Sequence, residues 1–75
     1  MKMTPEENFV NYINNITDLT VDNLMEIHFQ VNVDQELTLI PEFKIFILKY
    51  SDILVNENDP IMIEFTRRKN EIKTH

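Results

Sequence analysis

Met25-Glu26-Ile27-His28-Phe29-Gln30-Val31-Asn32-Val33-Asp34-Gln35-Glu36-Leu37-Thr38-Leu39-Ile40 is the stretch whose reading decides the fold class. Its first nine residues alternate, with Met25, Ile27, Phe29, Val31 and Val33 separated by Glu26, His28, Gln30 and Asn32. That is a strand pattern rich in β-branched side chains. The same segment also fits a helix, because Leu24, Ile27, His28 and Val31 recur at spacings of three and four. A strand at 25–33 has to return through Asp34-Gln35-Glu36, and a three-residue hairpin loop normally places glycine at its left-handed position. The chain contains no glycine. The helical reading is therefore preferred, and the expected fold is all-α, a compact bundle of three to four short helices. The alternative is an α+β fold with a hairpin at about 25–33 and 37–48.

The flanking sequence carries stronger signals. Thr4-Pro5-Glu6-Glu7 combines a capping threonine, a proline at the first helical position and a glutamate placed to close a capping box. Phe9, Tyr12, Ile13 and Ile16 follow as one apolar stripe, so a first helix is expected at about residues 5–16, with Asn8, Asn11, Asn14 and Asn15 facing water. Thr20 starts a second helix, with Leu19 and Leu24 as a hydrophobic staple and Asp22 near the positive end of the dipole. From Pro41 onward, Phe43, Phe46, Ile47, Tyr50, Ile53 and Leu54 lie on one helical face sustained for three turns. Asn56-Glu57-Asn58-Asp59-Pro60 reads as a polar loop that ends in an aspartate cap before a last helix. In that helix Ile61, Met62, Phe65 and Ile72 are apolar and the end is basic. The expected core is Phe9, Ile13, Leu24, Ile27, Phe43, Phe46, Ile47, Tyr50, Ile53, Leu54 and Phe65.

Composition narrows the function classes. A chain of 75 residues is expected to form a single small domain, residues 1–75, and such a domain buries only about 60% of the surface its unfolded chain exposes. A partner or a second copy is one way to complete so thin a core. With no cysteine, disulfides, thiolate nucleophiles and Cys-based metal sites are excluded. The longest apolar run, Ile45-Phe46-Ile47-Leu48, is bounded by Lys44 and Lys49, far short of the roughly 20 residues of a membrane span. With no apolar leader after Met1-Lys2-Met3, a cytoplasmic location is expected.

The net charge of −6 is unevenly laid out. Residues 1–66 hold three lysines against twelve carboxylates, whereas the basic C-terminal tail at 67–75 holds Arg67, Arg68, Lys69 and Lys73 against Glu71. A body of that sign repels phosphate, so direct nucleic-acid binding is disfavoured and a protein partner with a basic surface is favoured. No nucleophile has a recognisable base beside it. His28 and Glu26 diverge on a helix, and the acidic residues at 52–64 lack the glycine and ligand spacing of a calcium loop. No catalytic, cofactor or metal site is expected.

The remaining candidates are charges. Asp18, Asp22 and Glu26, four apart, place like charges along one side of any helix through them, which is mildly destabilising. They read either as a solvated face that keeps a small chain soluble or as partner-binding residues, a set that Glu57 and Asp59 would join. The expected function is that of a small acidic protein-interaction module, which regulates or inhibits a protein by occupying its surface, in one form as a nucleic-acid mimic. Two alternatives stand beside it. One is a small nucleic-acid-binding regulator that uses Arg67, Arg68 and Lys69; the other is a self-associating structural subunit, such as a homodimer.

Overall fold

Three prolines and two threonines set out the helix starts of this chain. In a computed structural model describing residues 2–73, α1 spans Pro5–Asn14, α2 Val21–Val33, α3 Pro41–Lys49, α4 Ser51–Leu54 and α5 Pro60–Lys73. A 3₁₀ turn, Gln35–Leu39, joins α2 to α3. No strand occurs among the described residues, so the fold is all-α and residues 25–33 are helical; the hairpin at 25–33 and 37–48 does not form. Pro5, Pro41 and Pro60 each open a helix, where the missing N–H has no intrahelical acceptor to lose.

Caps reinforce the starts. The Thr4 hydroxyl accepts from the Glu7 N–H at 3.1 Å and donates to the Glu7 carboxylate at 3.3 Å. At Thr20 the box is reciprocal: its hydroxyl accepts from the Asn23 N–H at 3.1 Å, and its own N–H donates to Asn23 Oδ1 at 3.0 Å. Asp59 caps α5 through the Ile61 N–H at 2.9 Å. The helix ends use no left-handed residue, and φ is negative throughout the described residues. Without glycine, the chain turns through Asn15 at φ −90°, ψ −1° and through extended Asp34 at φ −140°, ψ 96°.

The packing pairs α1 with α3 and α2 with α5; the 3₁₀ turn touches α2 and α3, and α4 touches α3 and α5. The buried set is Phe9, Ile13, Ile16, Leu19, Leu24, Ile27, Leu37, Ile40, Phe46 and Phe65. Phe9, with no exposed surface, anchors a line of rings: Phe9 to Phe43 at 5.8 Å, Phe43 to Phe46 at 6.2 Å and Phe46 to Tyr50 at 5.1 Å. The line ends in polar contacts, since the Tyr50 hydroxyl lies 3.2 Å from the Ile16 carbonyl and 3.3 Å from that of Thr17. Ring pairs of this kind, two tilted and one stacked, add about 0.5–1.5 kcal/mol each beyond the area they bury.

The core departs from expectation at several places: Ile16 and Leu19, outside the expected set, are buried, while Phe43, Tyr50, Ile53 and Leu54, inside it, are only partly buried and pack against its edge. Ile47 is 38% exposed, because α3 turns Phe46 inward and leaves Ile47 at the edge of the face. The three-turn helix from Pro41 breaks at Tyr50, where φ −108° and ψ 21° leave helical values and α4 follows as a single turn. Leu37 and Ile40, absent from the expected core, are buried because a 3₁₀ turn brings residues three apart onto one side; Leu39 between them points outward.

A folded chain of this length has a total stability of about 4–11 kcal/mol. Replacing Phe9 by alanine should therefore remove about 3–5 kcal/mol, most of the margin. Leu39→Ala should change stability by less than about 0.5 kcal/mol. Urea unfolding followed by circular dichroism reads both, and equal losses would refute the assignment of the core to Phe9.

Candidate interaction surface

The expected acidic row is only partly a row. Asp18 lies in the segment before Thr20, outside α2, while Asp22 and Glu26 sit one turn apart on α2. All three are exposed. Asp18 lines an open depression with Asn8, Asn11, Asn15, Asn23 and Tyr12. Two of the amides there have partners: Asn15 donates to the Asn11 backbone carbonyl at 2.8 Å, and Asn23 donates to the Tyr12 hydroxyl at 3.0 Å. Glu26 accepts from Gln30 at 3.0 Å on its own helix. Glu57 is exposed in the loop before α5, and Asp59, half-buried, holds the α5 cap.

Asp22 has a different task. Its carboxylate accepts from Arg68 at 2.7 Å across 46 residues of chain, tying the first turn of α2 to α5. Arg68 also donates to Glu64 at 3.0 Å, and Arg67 pairs with Glu64 at 2.6 Å and with Glu71. The two arginines of the basic tail thus lie in a cluster with three carboxylates. Lys69 stands 4.5 Å above the Phe65 ring in a cation–π contact. Thr74 and His75, which complete the 67–75 segment, lie outside the described residues.

Hydrogen bonds from Arg67 and then Arg68 hold the Glu64 carboxyl at about 2, against its ordinary 4.5. The same contacts push both guanidinium groups upward, led by Glu64 for Arg67 and by Asp22 for Arg68. Arg67 engages both Glu64 oxygens, through Nε and Nη2, so a phosphate at this arginine would compete with a bound carboxylate.

The surface also carries apolar residues. On α3, Ile45 and Leu48 are 64% and 74% exposed, with Lys44 and Lys49 exposed beside them. Along α2 and α5, Phe29, Val33 and Ile72 are exposed around grooves that also include Met25, His28 and Lys69. The α3 face was legible as a spacing, because Ile45 and Leu48 fall opposite Phe43 and Phe46 on the helix. Reading Ile45-Phe46-Ile47-Leu48 as one apolar run hides it.

His28 packs edge-on against Phe65 at 5.8 Å and shares a 3.2 Å hydrogen bond with Asn32. Among the described residues, no group of three histidines or carboxylates has metal-binding geometry, and no helix is long and apolar enough to cross a membrane. No protein-family model, curated protein or solved structure matches the chain.

Because Glu64 binds its proton less readily when folded than when unfolded, its cluster contributes fully above pH 4.5 and fades as pH falls toward about 2. The melting temperature of the parent chain should exceed that of Glu64→Gln by a small, constant margin near neutrality. The margin should shrink over that acid window. Differential scanning at low salt measures it, and a margin that ignores acid pH would show that the cluster does not stabilise the fold.

Proposed function

We propose that this chain is an acidic interaction module that regulates or inhibits a protein partner by covering a basic surface. The observation that carries the reading is the distribution of pairing: every ion pair between the described side chains involves Arg67 or Arg68. The carboxylates of Asp18, Glu26 and Glu57 stay exposed and outside those pairs. An approaching protein therefore meets negative charge that intramolecular cations do not cancel, which steers encounter and fixes register with a positive surface. In its sharper form the module mimics nucleic acid, its carboxylates taking the places of phosphates in a basic groove. The mechanism is occupancy, without covalent chemistry.

The rival reading, a nucleic-acid-binding regulator acting through Arg67, Arg68 and Lys69, draws less support. Phosphate would have to displace Glu64, Glu71 and Asp22 from the two arginines, and the anionic body opposes its approach.

The structure also refines the choice of test residues. Reversing Asp22 or Asp59 would break the bridge to Arg68 or the α5 cap, so Asp18→Lys, Glu26→Lys and Glu57→Lys are the informative changes. The parent chain immobilised in nuclease-treated host lysate should retain a stoichiometric partner that salt releases. The triple variant, with an unchanged circular dichroism spectrum, should lose it at least about tenfold, or about 1.4 kcal/mol. Equal retention by both chains would refute the surface, and retardation of a duplex by the parent chain at low salt would favour the rival.

A further inference from the structure

Residues 27–33, Ile27-His28-Phe29-Gln30-Val31-Asn32-Val33, are helical in the fold although their own preferences run the other way. Gln30 is the one good helix former among them, and the rest belong to the lower half of the propensity order. Ile27, Phe29, Val31 and Val33 alternate and are of the types that favour strands. The segment holds no carboxylate, lysine, arginine, proline or glycine, which is the composition of a segment that stacks as cross-β. Elsewhere in the chain that pattern is interrupted. Residues 8–17 are also uncharged, but Phe9, Ile13 and Ile16 keep the helical spacing and are buried. The alternation of Ile61, Ile63 and Phe65 runs around Glu64, the apolar run 45–48 is closed by lysines, and 37–40 stops at Pro41.

The packing is thinnest at the same residues. With extents of 39 × 30 × 19 Å the chain is a slab about two helices thick, so α2 has the core on one side and solvent on the other. Its first half is fastened by the Thr20–Asn23 box, by buried Leu24 and Ile27 and by the Asp22–Arg68 bridge. From His28 onward no α2 residue is buried; Val31 packs on the edge of the core, while Phe29 and Val33 are 63% and 73% exposed. The last turn of α2 has no basic residue, and the Asp34 carboxylate follows at the negative end of the dipole. Helices depend on packing more than on propensity, and here local preference and tertiary placement disagree where the packing is weakest.

We propose that residues 27–33 are a conformational switch, helical in the folded monomer and extended once α2 parts from α5, when the segment stacks in register on the same segment of further chains. In the extended form Ile27, Phe29, Val31 and Val33 share one face, and His28, Gln30 and Asn32 share the other. Stacking gives every backbone N–H and C=O released from the helix a partner in the strand above or below. Register is set by identity, because it places each apolar residue on its own copy and lets Gln30 and Asn32 form amide ladders. Glu26 and Asp34 flank the segment as like charges that oppose stacking. The fold and these two carboxylates together hold the switch closed. This goes beyond the acidic-module reading and does not rest on it, since Asp18 and Glu57 play no part.

The full chain, incubated at its own melting midpoint, should pass from a helical to a β circular dichroism spectrum and bind thioflavin T. Its fibrils should give the reflection of stacked strands at about 4.7 Å. Proteolysis read by mass spectrometry should leave a protected core that contains residues 27–33. Phe29→Lys with Val33→Lys changes two exposed positions, so the folded spectrum should be unchanged, yet stacked copies would set lysine on lysine. Incubated at its own midpoint, so that the unfolded populations match, this variant should form no fibrils over the time in which the parent converts. Ile45→Lys with Leu48→Lys removes a similar exposed apolar surface from α3 and should convert at the parent's rate. A parent chain that stays free of fibrils, or aggregates without strands, would overturn the proposal. So would a Phe29 and Val33 variant that converts like the parent, an α3 variant that is blocked as well, or a protected core that leaves out 27–33.

Discussion

The constraint on which this structure depends is the absence of glycine. A chain without glycine is denied the cheapest left-handed caps and tight primed hairpins, so its reversals must use residues with negative φ. The chain meets this by marking helix starts strongly and letting helix ends run out softly. Thr4, Thr20 and Asp59 cap, Pro5, Pro41 and Pro60 open, and Asn15, Asp34 and Tyr50 carry the turns without entering the left-handed region. The same constraint disfavours the hairpin at 25–40 that the alternating pattern invites.

Helices made this way are short, and short helices depend on tertiary packing. Here the packing runs through Phe9, Phe43, Phe46 and Tyr50, which bind α1 to α3 and end on the carbonyls of Ile16 and Thr17. The second pair, α2 and α5, meets around Phe65 and is closed at its edge by Asp22 and Arg68. An exposed bridge of that kind contributes little to stability, because water and salt screen it. Its effect is on charge: with the pairs to Glu64 and Glu71 it engages both arginines of the tail and leaves most of the negative surface standing.

What the sequence discloses is what is written locally. The starts at Thr4, Thr20, Pro41 and Asp59 were legible because each signal spans about four residues. The segment 25–33 was less so, since Leu24, Ile27 and Val31 satisfy the helical period while Ile27, Phe29, Val31 and Val33 satisfy the strand period. The burial of Leu37 and Ile40 depends on a 3₁₀ turn that leaves no strong composition signal, and the break at Tyr50 has no glycine or proline to mark it. At the surface, the exposure of Asp18, Glu26 and Glu57 followed from charge and sparse lysines. The engagement of Asp22 did not, because its partner is 46 residues distant and proximity of that kind is set by the fold.

The slab form bears on how sharply the protein melts. Unfolding enthalpy scales with length, and for 75 residues it is about 50 kcal/mol near 60 °C, which spreads the transition over roughly 20 degrees. A core one side-chain layer deep leaves little enthalpy to narrow it. A broad transition gives a small unfolded population well below the midpoint, and anything that binds only the folded chain depletes that population by mass action. For a molecule this thin, persistence in the cell becomes a property of its concentration and its company as much as of its own sequence.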